Sequence, residues 1–325
     1  MEQPLVSVIT YCFNGERFVH KYFDALLAQT YPNVELFFYN NGSADRTGEI
    51  AESYRTRLMD KGWTVNIEHF ADNQVTCSLK QDALRRMHGV FFCGCDSDDV
   101  MYPEHISHMV QALLQQPDKG IVFCKLNVVQ EETGESRGTM QVKPQTVSKG
   151  AFLDCLMARN MIYTPIGSLT RTVAFDAVVP NRTIHQTQFG ENYQMLLPLL
   201  YHDQSCCLDE VLGDYLVRGD SYTGKLVGQR QVDAFIAQEE TIRATLDLFH
   251  PAEEATYLLM AQRRLRTERL FAALALGDAA QIKAAKQACR AVGALNCKLR
   301  LTSCRPLYAL RKAVQSRKDT HNKRR

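Results

Sequence analysis

The sequence lacks the features of several protein classes. No apolar run approaches membrane-spanning length, and neither an internal repeat nor a low-complexity tract is present. None of the 11 cysteines forms a CxxC pair, so we expect reduced thiols in a cytoplasmic setting and no zinc site. The glycine-rich dinucleotide motif and the P-loop motif are both missing, so neither can supply phosphate contacts. The N-terminus runs directly into a predicted strand, and we expect no targeting segment.

The composition and charge of the chain are typical of a globular protein with a basic end. Hydrophobic residues make up 45% and charged residues 23% of 325 positions, which allows one large domain or one domain with an appendage. Residues 298–325 carry ten Lys and Arg against Asp319 alone, a net +9 that leaves −7 for the rest. Apolar residues lie among these cations, so the tail suits the anionic face of a membrane. The alternative is a solvated basic end; we expect no nucleic acid partner.

An acidic cluster, Asp96–Asp99, follows an apolar run at 90–95 that predicts a buried strand. Three carboxylates within four residues repel one another, and Mg²⁺ or Mn²⁺ held by oxygen ligands would offset that repulsion. Such an ion keeps positions open for water and substrate phosphates, so a diphosphate is its natural companion. The alternative is that Ser97 and Asp98 cap a helix that begins near Pro103.

Strand and helix signals alternate up to this cluster. Strands are predicted at 5–10, 34–39, 65–69 and 90–95, and helices at 17–29, from Ser43 or Asp45 to 59, and at 76–87. Short strands separated by helices of this length imply right-handed crossovers. They predict an α/β fold with a mostly parallel sheet covered by helices on both faces.

Ligands bind beyond the carboxyl ends of the strands in such a sheet, which brings three loops together. Each of these loops carries polar or acidic side chains. They are Asn14 and Glu16 after the first strand, next to the aromatic Phe13, Asn40 and Asn41 after the second, and Asp96 to Asp99 after the fourth. Together they predict a nucleotide pocket in which a metal ion contacts the phosphates.

Five short motifs occur in a specific order along the chain: Val6-Ser7-Val8-Ile9, Asn14–Phe18, Gln29–Asn33, Asn41–Thr47 and Asp96–Asp99. Together they resemble family 2 glycosyltransferases of the GT-A fold, of the bacterial surface-polysaccharide type, over residues 5–220. The resemblance implies transfer of a sugar from a nucleotide diphosphate donor to an acceptor hydroxyl, with inversion at the anomeric carbon. It also implies that the Asp-x-Asp triplet holds the metal on the diphosphate.

The resemblance assigns roles to individual residues. Asp98 would be the direct metal ligand, Asp96 would reach the ribose or the cation through water, and Asp99 would orient the loop or contact the donor sugar. Arg218 opens a polar stretch resembling the loop that closes over the diphosphate, and its guanidinium offers paired donors to phosphate oxygens. A solvated loop is the alternative there. The donor-binding set is Phe13, Asn14, Glu16, Asn40, Asn41, Asp96, Ser97 and Arg218.

The general base implied by the resemblance belongs to a Glu-Asp pair that opens a helix. The matching segment, 190–198, has Asn192 in place of the usual Asp, and an amide cannot accept a proton at neutral pH. Glu191 is therefore the predicted base, with Asn192 binding an acceptor hydroxyl and His185 in reserve. The helix dipole would lower the pKa of Glu191, and only desolvation would raise it. The alternative is that Glu191 only interacts with that dipole.

A second departure from the family lies at Asn40-Asn41, where Asp-Asp is usual. The Asn carbonyl can accept from uracil N3–H while the amide donates to O4, so a UDP-sugar is favoured over a GDP-sugar, with a dTDP-sugar second. The alternative is that both residues only shape the turn before Gly42.

The rest of the chain predicts an acceptor region and a helical extension. A helix at 103–115, strands at 120–129 and 208–217, and the segment 162–169 precede helices at 232–249 and 251–276 and a short helix toward Arg290. The extension could pack on the core, form a homo-oligomer or receive a partner enzyme. The predicted organisation is a GT-A domain at 1–228, divided into a nucleotide-binding half at 1–100 and an acceptor half at 101–228, a helical extension at 229–297 and a basic amphipathic tail at 298–325.

Three functions remain open from the sequence. The first is a metal-dependent glycosyltransferase acting on a glycan or lipid-linked glycan, peripheral at the inner face of the cytoplasmic membrane. The second is a protein of the same fold that binds nucleotide-sugars or glycans without turnover, because two acidic positions carry Asn. The intact Asp96-Ser97-Asp98 argues against it. A nucleotidyltransferase is the third, and it lacks a basic phosphate loop.

Overall fold

One mixed sheet carries the fold. The computed structural model describes residues 3–140, 149–159, 164–219, 226–296 and 299, and within these ranges nine strands join in the order β3-β2-β1-β4-β8-β6-β9-β5, with β7 paired to β6. The strands are β1 (Val6–Cys12), β2 (Val34–Asn41), β3 (Thr64–Phe70), β4 (Phe91–Gly94), β5 (Val100–Met101), β6 (Ile121–Gln130), β7 (Ser136–Met140), β8 (Ser168–Arg171) and β9 (Ser205–Val217).

Helices cover both faces of this sheet. In chain order they are α1 (Val19–Ala28), α2 (Thr47–Asp60), α3 (Thr76–Arg86), α4 (His105–Gln115), α5 (Lys149–Leu156), α6 (Thr172–Val178), α7 (Glu191–Tyr201), α8 (Gln229–Phe249), α9 (Glu254–Leu276) and α10 (Ala279–Ala291). The predicted α/β class is confirmed.

The first four strands form a wholly parallel unit. Val8 of β1 lies opposite Leu36 of β2 on one side and Cys93 of β4 on the other, and β3 continues the parallel order beyond β2. β2 is buried along its whole length, which agrees with helices on both of its faces and with the apolar run Leu36 to Phe38 at its centre. The carboxyl ends of β1, β2 and β4 therefore meet at one edge.

The second half of the sheet mixes directions. β8 runs antiparallel to both β4 and β6, β5 runs antiparallel to β9, and β6 pairs in parallel with β9. The mostly parallel arrangement predicted from residues 5–95 describes the first half, and the antiparallel strands enter after the acidic cluster. The sequence did not predict the strands β5, β7 and β8 or the helices α5 and α6.

The helical extension supports helix α7. Ile242 and Leu246 of α8 are fully buried in the same apolar cluster as Leu197 of α7. Arg264 of α9 donates from Nη2 to the hydroxyl of Tyr193 at 3.1 Å. The extension thus fixes the helix whose first residue is Glu191.

Some predictions lie outside the described residues. They are the part of the acceptor segment at 162–163, the loop at 220–223 after Arg218 and Gly219, and the basic tail, of which only Leu299 is described. The division at 228 and 297 stays a prediction. Across the described ranges, no helix combines the length and apolar character needed to cross a membrane.

Candidate active site

The loops after β1 and β2 are joined by a set of hydrogen bonds that we call the loop clasp, formed by residues 14–16 and 43–47. Asn14 accepts from the backbone of Ala44 at 2.9 Å, and its own N–H donates to the Ser43 hydroxyl at 2.9 Å. Glu16 accepts from the backbone N–H of Arg46 at 3.1 Å. The predicted donor-binding residues Asn14 and Glu16 therefore shape the edge of the site, while the neighbouring Phe13 is 52% exposed.

Asp45 is the central acceptor of the loop clasp. Its carboxylate accepts from the backbone N–H of Glu16 at 3.0 Å, and from both the backbone N–H at 3.0 Å and the hydroxyl of Thr47. Burial alone would raise the pKa of Asp45, but these hydrogen bonds outweigh it and lower the pKa. The charged form of Asp45 is therefore stabilised by the fold.

Asn40 and Asn41 have different surroundings at the end of β2. Asn41 accepts from the backbone N–H of Gln74 at 2.7 Å and donates to its carbonyl at 3.0 Å, so it holds the loop before α3. Asn40 is 7% exposed, and its amide nitrogen lies 3.1 Å from His69 Nδ1. Its Oδ1 is buried with no partner among the described residues. Contact of either residue with a nucleotide stays a prediction.

The acidic cluster places its three carboxylates in three environments. Asp98 is bound by Arg218, whose Nε and Nη2 lie 2.8 and 2.7 Å from Oδ2. Asp99 is buried, accepts from the backbone N–H of Leu216 at 3.1 Å, and leaves Oδ2 without a partner among the described residues. Burial raises the pKa of Asp96 to about 7, and the negative charges of Asp98 and Glu191 add to the effect.

Glu191 lies among four donors at the start of α7. Its Oε1 accepts from Lys80 Nζ at 2.8 Å and from the Tyr11 hydroxyl at 2.9 Å. Its Oε2 accepts from the Thr76 hydroxyl at 3.2 Å and lies 3.6 Å from the Cys77 thiol. Burial alone would raise the pKa of Glu191, but the Lys80 ammonium and these hydrogen bonds outweigh it and lower the pKa.

Lys80 and Tyr11 are site residues that the sequence reasoning missed. Lys80 lies on the buried side of α3, where only 8% of its side chain is exposed. A lysine among buried positions of a helix requires a partner, and this was the signal available in the sequence.

Among the described residues, neither Asn192 nor His185 forms a hydrogen bond with the carboxylate of the predicted base. The Oδ1 atom of Asn192 is buried and has no partner within the described part of the chain. The backbone of His185 is fixed by Gln194, which accepts from its N–H at 2.5 Å and donates to its carbonyl at 2.9 Å. Their predicted roles stay predictions.

The residues present fit a divalent cation that takes few protein ligands. No group of three or more His, Cys, Asp and Glu side chains in the described ranges is arranged to hold a metal ion. Asp96 and Asp98 nevertheless lie close enough that their repulsion helps raise the pKa of Asp96, and a cation would relieve that repulsion. Mg²⁺ and Mn²⁺ need only one or two carboxylates when substrate phosphates supply other ligands.

Comparison with known sequences identifies one family. The sequence model described as glycosyl transferase family 2 matches residues 7–195. An uncharacterized glycosyltransferase of Rickettsia prowazekii, RP339, is 31% identical over 131 residues, which cover 40% of this chain and 39% of that protein. The chain therefore matches less than half of this relative's length.

Two solved structures share the fold. TarS of S. aureus, in complex with UDP-GlcNAc, superposes with a TM-score of 0.54 at 14% identity over 88% of this chain and 91% of that chain. The mannosyltransferase PcManGT of Pyrobaculum calidifontis, in complex with GDP-Man and Mn²⁺, gives a TM-score of 0.51 at 17% identity over 97% of this chain and 87% of that chain. At such low sequence identity the superpositions show the fold alone, and they confirm the predicted GT-A architecture.

Proposed function

The chain belongs to glycosyl transferase family 2, and from that premise we propose that it transfers a sugar from a UDP-sugar to a hydroxyl of a glycan or glycolipid, with inversion and with a divalent cation. The observation that carries the proposal is the meeting of Asp96, Asp98, Glu191 and Arg218 at the carboxyl edge of the sheet. The nucleotide-sugars bound by TarS and PcManGT support a donor of this class.

The donor side stabilises the charge that develops on the leaving diphosphate. When bound by Asp98 and Asp96, Mg²⁺ or Mn²⁺ would supply Lewis-acid stabilisation of that charge. Arg218 would donate to the phosphate oxygens through its paired nitrogens. Ser97, buried between the two carboxylates, would help fix the turn that presents them.

The acceptor side requires a group that takes the hydroxyl proton as the oxygen attacks. Glu191 is the proposed base, and Asn192 Oδ1 would accept a hydrogen bond from an acceptor hydroxyl. The donors around Glu191 keep it ionised and make it a weak base. Its proton affinity would rise if the Lys80 contact lengthens when substrate enters, because Lys80 supplies the strongest favourable charge.

The nucleobase would contact Asn40. Its buried Oδ1 can accept from uracil N3–H, and its amide can donate to O4 if it leaves His69. This pairing favours UDP-sugars over GDP-sugars, with dTDP-sugars second.

The proposed setting is the cytoplasm, at the inner face of the membrane, in surface polysaccharide synthesis. The ten cations of the tail would bind anionic lipid, and lipid-linked glycans would then be within reach. Self-association through the helical extension is a further proposed partner interaction.

The experiment is nucleotide release from UDP-, dTDP- and GDP-sugars with Mn²⁺, for wild type beside Asp98→Ala and Glu191→Gln. Turnover of one donor that both substitutions abolish supports the proposal. If donors bind but none reacts with any acceptor supplied, the result supports the alternative function, a protein that binds nucleotide-sugars or glycans without turnover. The engagement of Glu191 with four donors and the Asn at position 192 favour that second candidate.

A further inference from the structure

The ion pair between Arg218 and Asp98 takes up one of the two oxygens that a metal would need. Two guanidinium nitrogens contact the same oxygen of Asp98, Oδ2, at 2.8 Å from Nε and 2.7 Å from Nη2. The two side chains are only 14% and 18% exposed. Shielding from water makes such a pair stronger than a surface pair, and breaking it leaves a poorly solvated charge.

The fold holds Arg218 at this position from several sides. The guanidinium carbon lies 4.5 Å from the centre of the Phe18 ring, a cation–π distance. The backbone before it is tied through Leu216 N–H to Asp99 at 3.1 Å, and the backbone after it through Gly219 N–H to Glu132 at 3.4 Å. The pairing with Asp98 is therefore part of the folded structure rather than a chance surface contact.

A divalent cation and a guanidinium compete for a carboxylate. Both bind its lone pairs, and their like charges repel each other at short range. A diphosphate offers Arg218 another anion that matches the geometry of its paired donors. A bound nucleotide can thus draw Arg218 away from Asp98 and free that oxygen.

We propose that Arg218 is an internal counter-cation that occupies Asp98 until a nucleoside diphosphate group arrives, so that the metal and the nucleotide bind together rather than metal first. The inference rests on the proposed function, since it assumes a metal at Asp98. Arg218 is a positioning residue for the metal in this scheme, in addition to its proposed contact with phosphate.

The test measures Mn²⁺ binding through the electron paramagnetic resonance signal of free Mn²⁺, with and without UDP, after correction for the Mn²⁺ that UDP binds in the absence of protein. In wild type, UDP is expected to tighten Mn²⁺ binding about tenfold or more, a usual size for coupling between two ligands. Arg218→Met is expected to bind Mn²⁺ alone about tenfold more tightly than wild type, and UDP should tighten its Mn²⁺ binding less than it does in wild type, because only the ligands from the diphosphate then contribute. Arg218→Lys should lie between them, because one ammonium cannot reproduce the two contacts or the ring stacking.

Arg17→Met is the matched control. Arg17 also pairs with a carboxylate, Glu131 at 2.8 Å, but its side chain is 60% exposed and the pair does not include the acidic cluster. Its Mn²⁺ binding should equal that of wild type. Circular dichroism melting of every variant shows whether it is folded, and Arg218→Lys keeps the charge if Arg218→Met does not fold.

Two results would overturn the inference in different ways. If Arg218→Met binds Mn²⁺ alone no better than wild type, Arg218 supports Asp98 rather than competing for it, and the proposed function is untouched. If wild type binds no Mn²⁺ even with UDP, metal dependence itself is wrong and the inference falls with it.

Discussion

The loop clasp and the acidic centre lie at the same edge of the sheet and satisfy their polar groups differently. The acidic centre comprises the acidic cluster together with Glu191, Asn192, Lys80 and Arg218. In the loop clasp, Asn14, Glu16 and Asp45 accept hydrogen bonds from residues of the facing loop. In the centre, carboxylates are matched by Lys80 and Arg218, and buried oxygens of Asp99 and Asn192 have no partner within the described residues.

This difference separates a structural region from a functional one. Hydrogen bonds that are complete without substrate contribute to folding stability, whereas clustered charge and unpartnered oxygens cost stability and are usual at sites that bind a ligand. Substitutions in the clasp should therefore change stability, and substitutions in the centre should change binding and turnover.

The largest effect is expected for Asp98→Ala. Loss of the proposed metal ligand should lower kcat about a hundredfold or more, the size seen when one transition-state contact is removed. Steady-state nucleotide release measures this, with Asp60→Ala, at an exposed site on α2, as a control of equal charge change. A comparable loss in the control, or none in Asp98→Ala, would contradict the functional assignment of the centre.

Lys80→Met should lower stability although Lys80 lies in the functional region, because its ammonium balances the buried charge of Glu191. The uncompensated Glu191 carboxylate should cost about 3–5 kcal/mol of unfolding free energy. In wild type the pKa of Glu191 is lowered in the folded state, so its contribution is present above its unfolded pKa and is lost as pH falls. In the variant burial raises that pKa, so the destabilisation should grow from pH 4 to pH 7.

Urea unfolding at several pH values measures the Lys80 effect. The double variant Lys80→Met/Glu191→Gln should recover part of the loss, because no unpaired charge remains. A destabilisation that does not change with pH would mean that Lys80 acts through packing alone.

Asp45→Ala should change the stability of the protein and leave nucleotide binding unchanged. Loss of the hydrogen bonds to Thr47 and Glu16 should cost about 1–3 kcal/mol of unfolding free energy. Because the pKa of Asp45 is lowered in the folded state, its contribution is present above the unfolded pKa and is lost as pH falls through the folded value. Thermal melting at pH 7 and at acid pH should therefore show a smaller difference from wild type at acid pH. An unchanged melting temperature at pH 7 would show that the hydrogen bonds of the loop clasp do not contribute to folding stability.

Asn40→Asp should have the smallest effect. The variant keeps an acceptor for uracil N3–H and loses the donor to O4, which should weaken UDP binding about fivefold, near 1 kcal/mol. Calorimetric titration with UDP and GDP measures this, and Asn41→Asp, whose side chain is held by Gln74, offers a comparison at the neighbouring position. Equal or tighter UDP binding by Asn40→Asp would exclude the proposed donation from the Asn40 amide to O4.

Most of the secondary structure in the nucleotide-binding half, residues 1–100, could be predicted from the sequence. A smaller part could be predicted in the residues that follow. Strands β1 to β4 and helices α1 to α3 were predicted within a few residues, because their apolar runs and helical periodicity are local. Strands β5, β7 and β8 and helices α5 and α6 were missed. Strand β8 has only four residues, and such short elements carry little periodicity.

Two features of the site follow from neighbouring residues alone: carboxylates follow a buried strand, and Glu191 opens a helix. Which cations meet these carboxylates depends on contacts between distant parts of the chain. Lys80 and Glu191 are 111 positions apart, and Asp98 and Arg218 are 120 apart. Such pairs form because β1, β4, α3, α7 and β9 converge at one sheet edge, and no local pattern encodes that convergence.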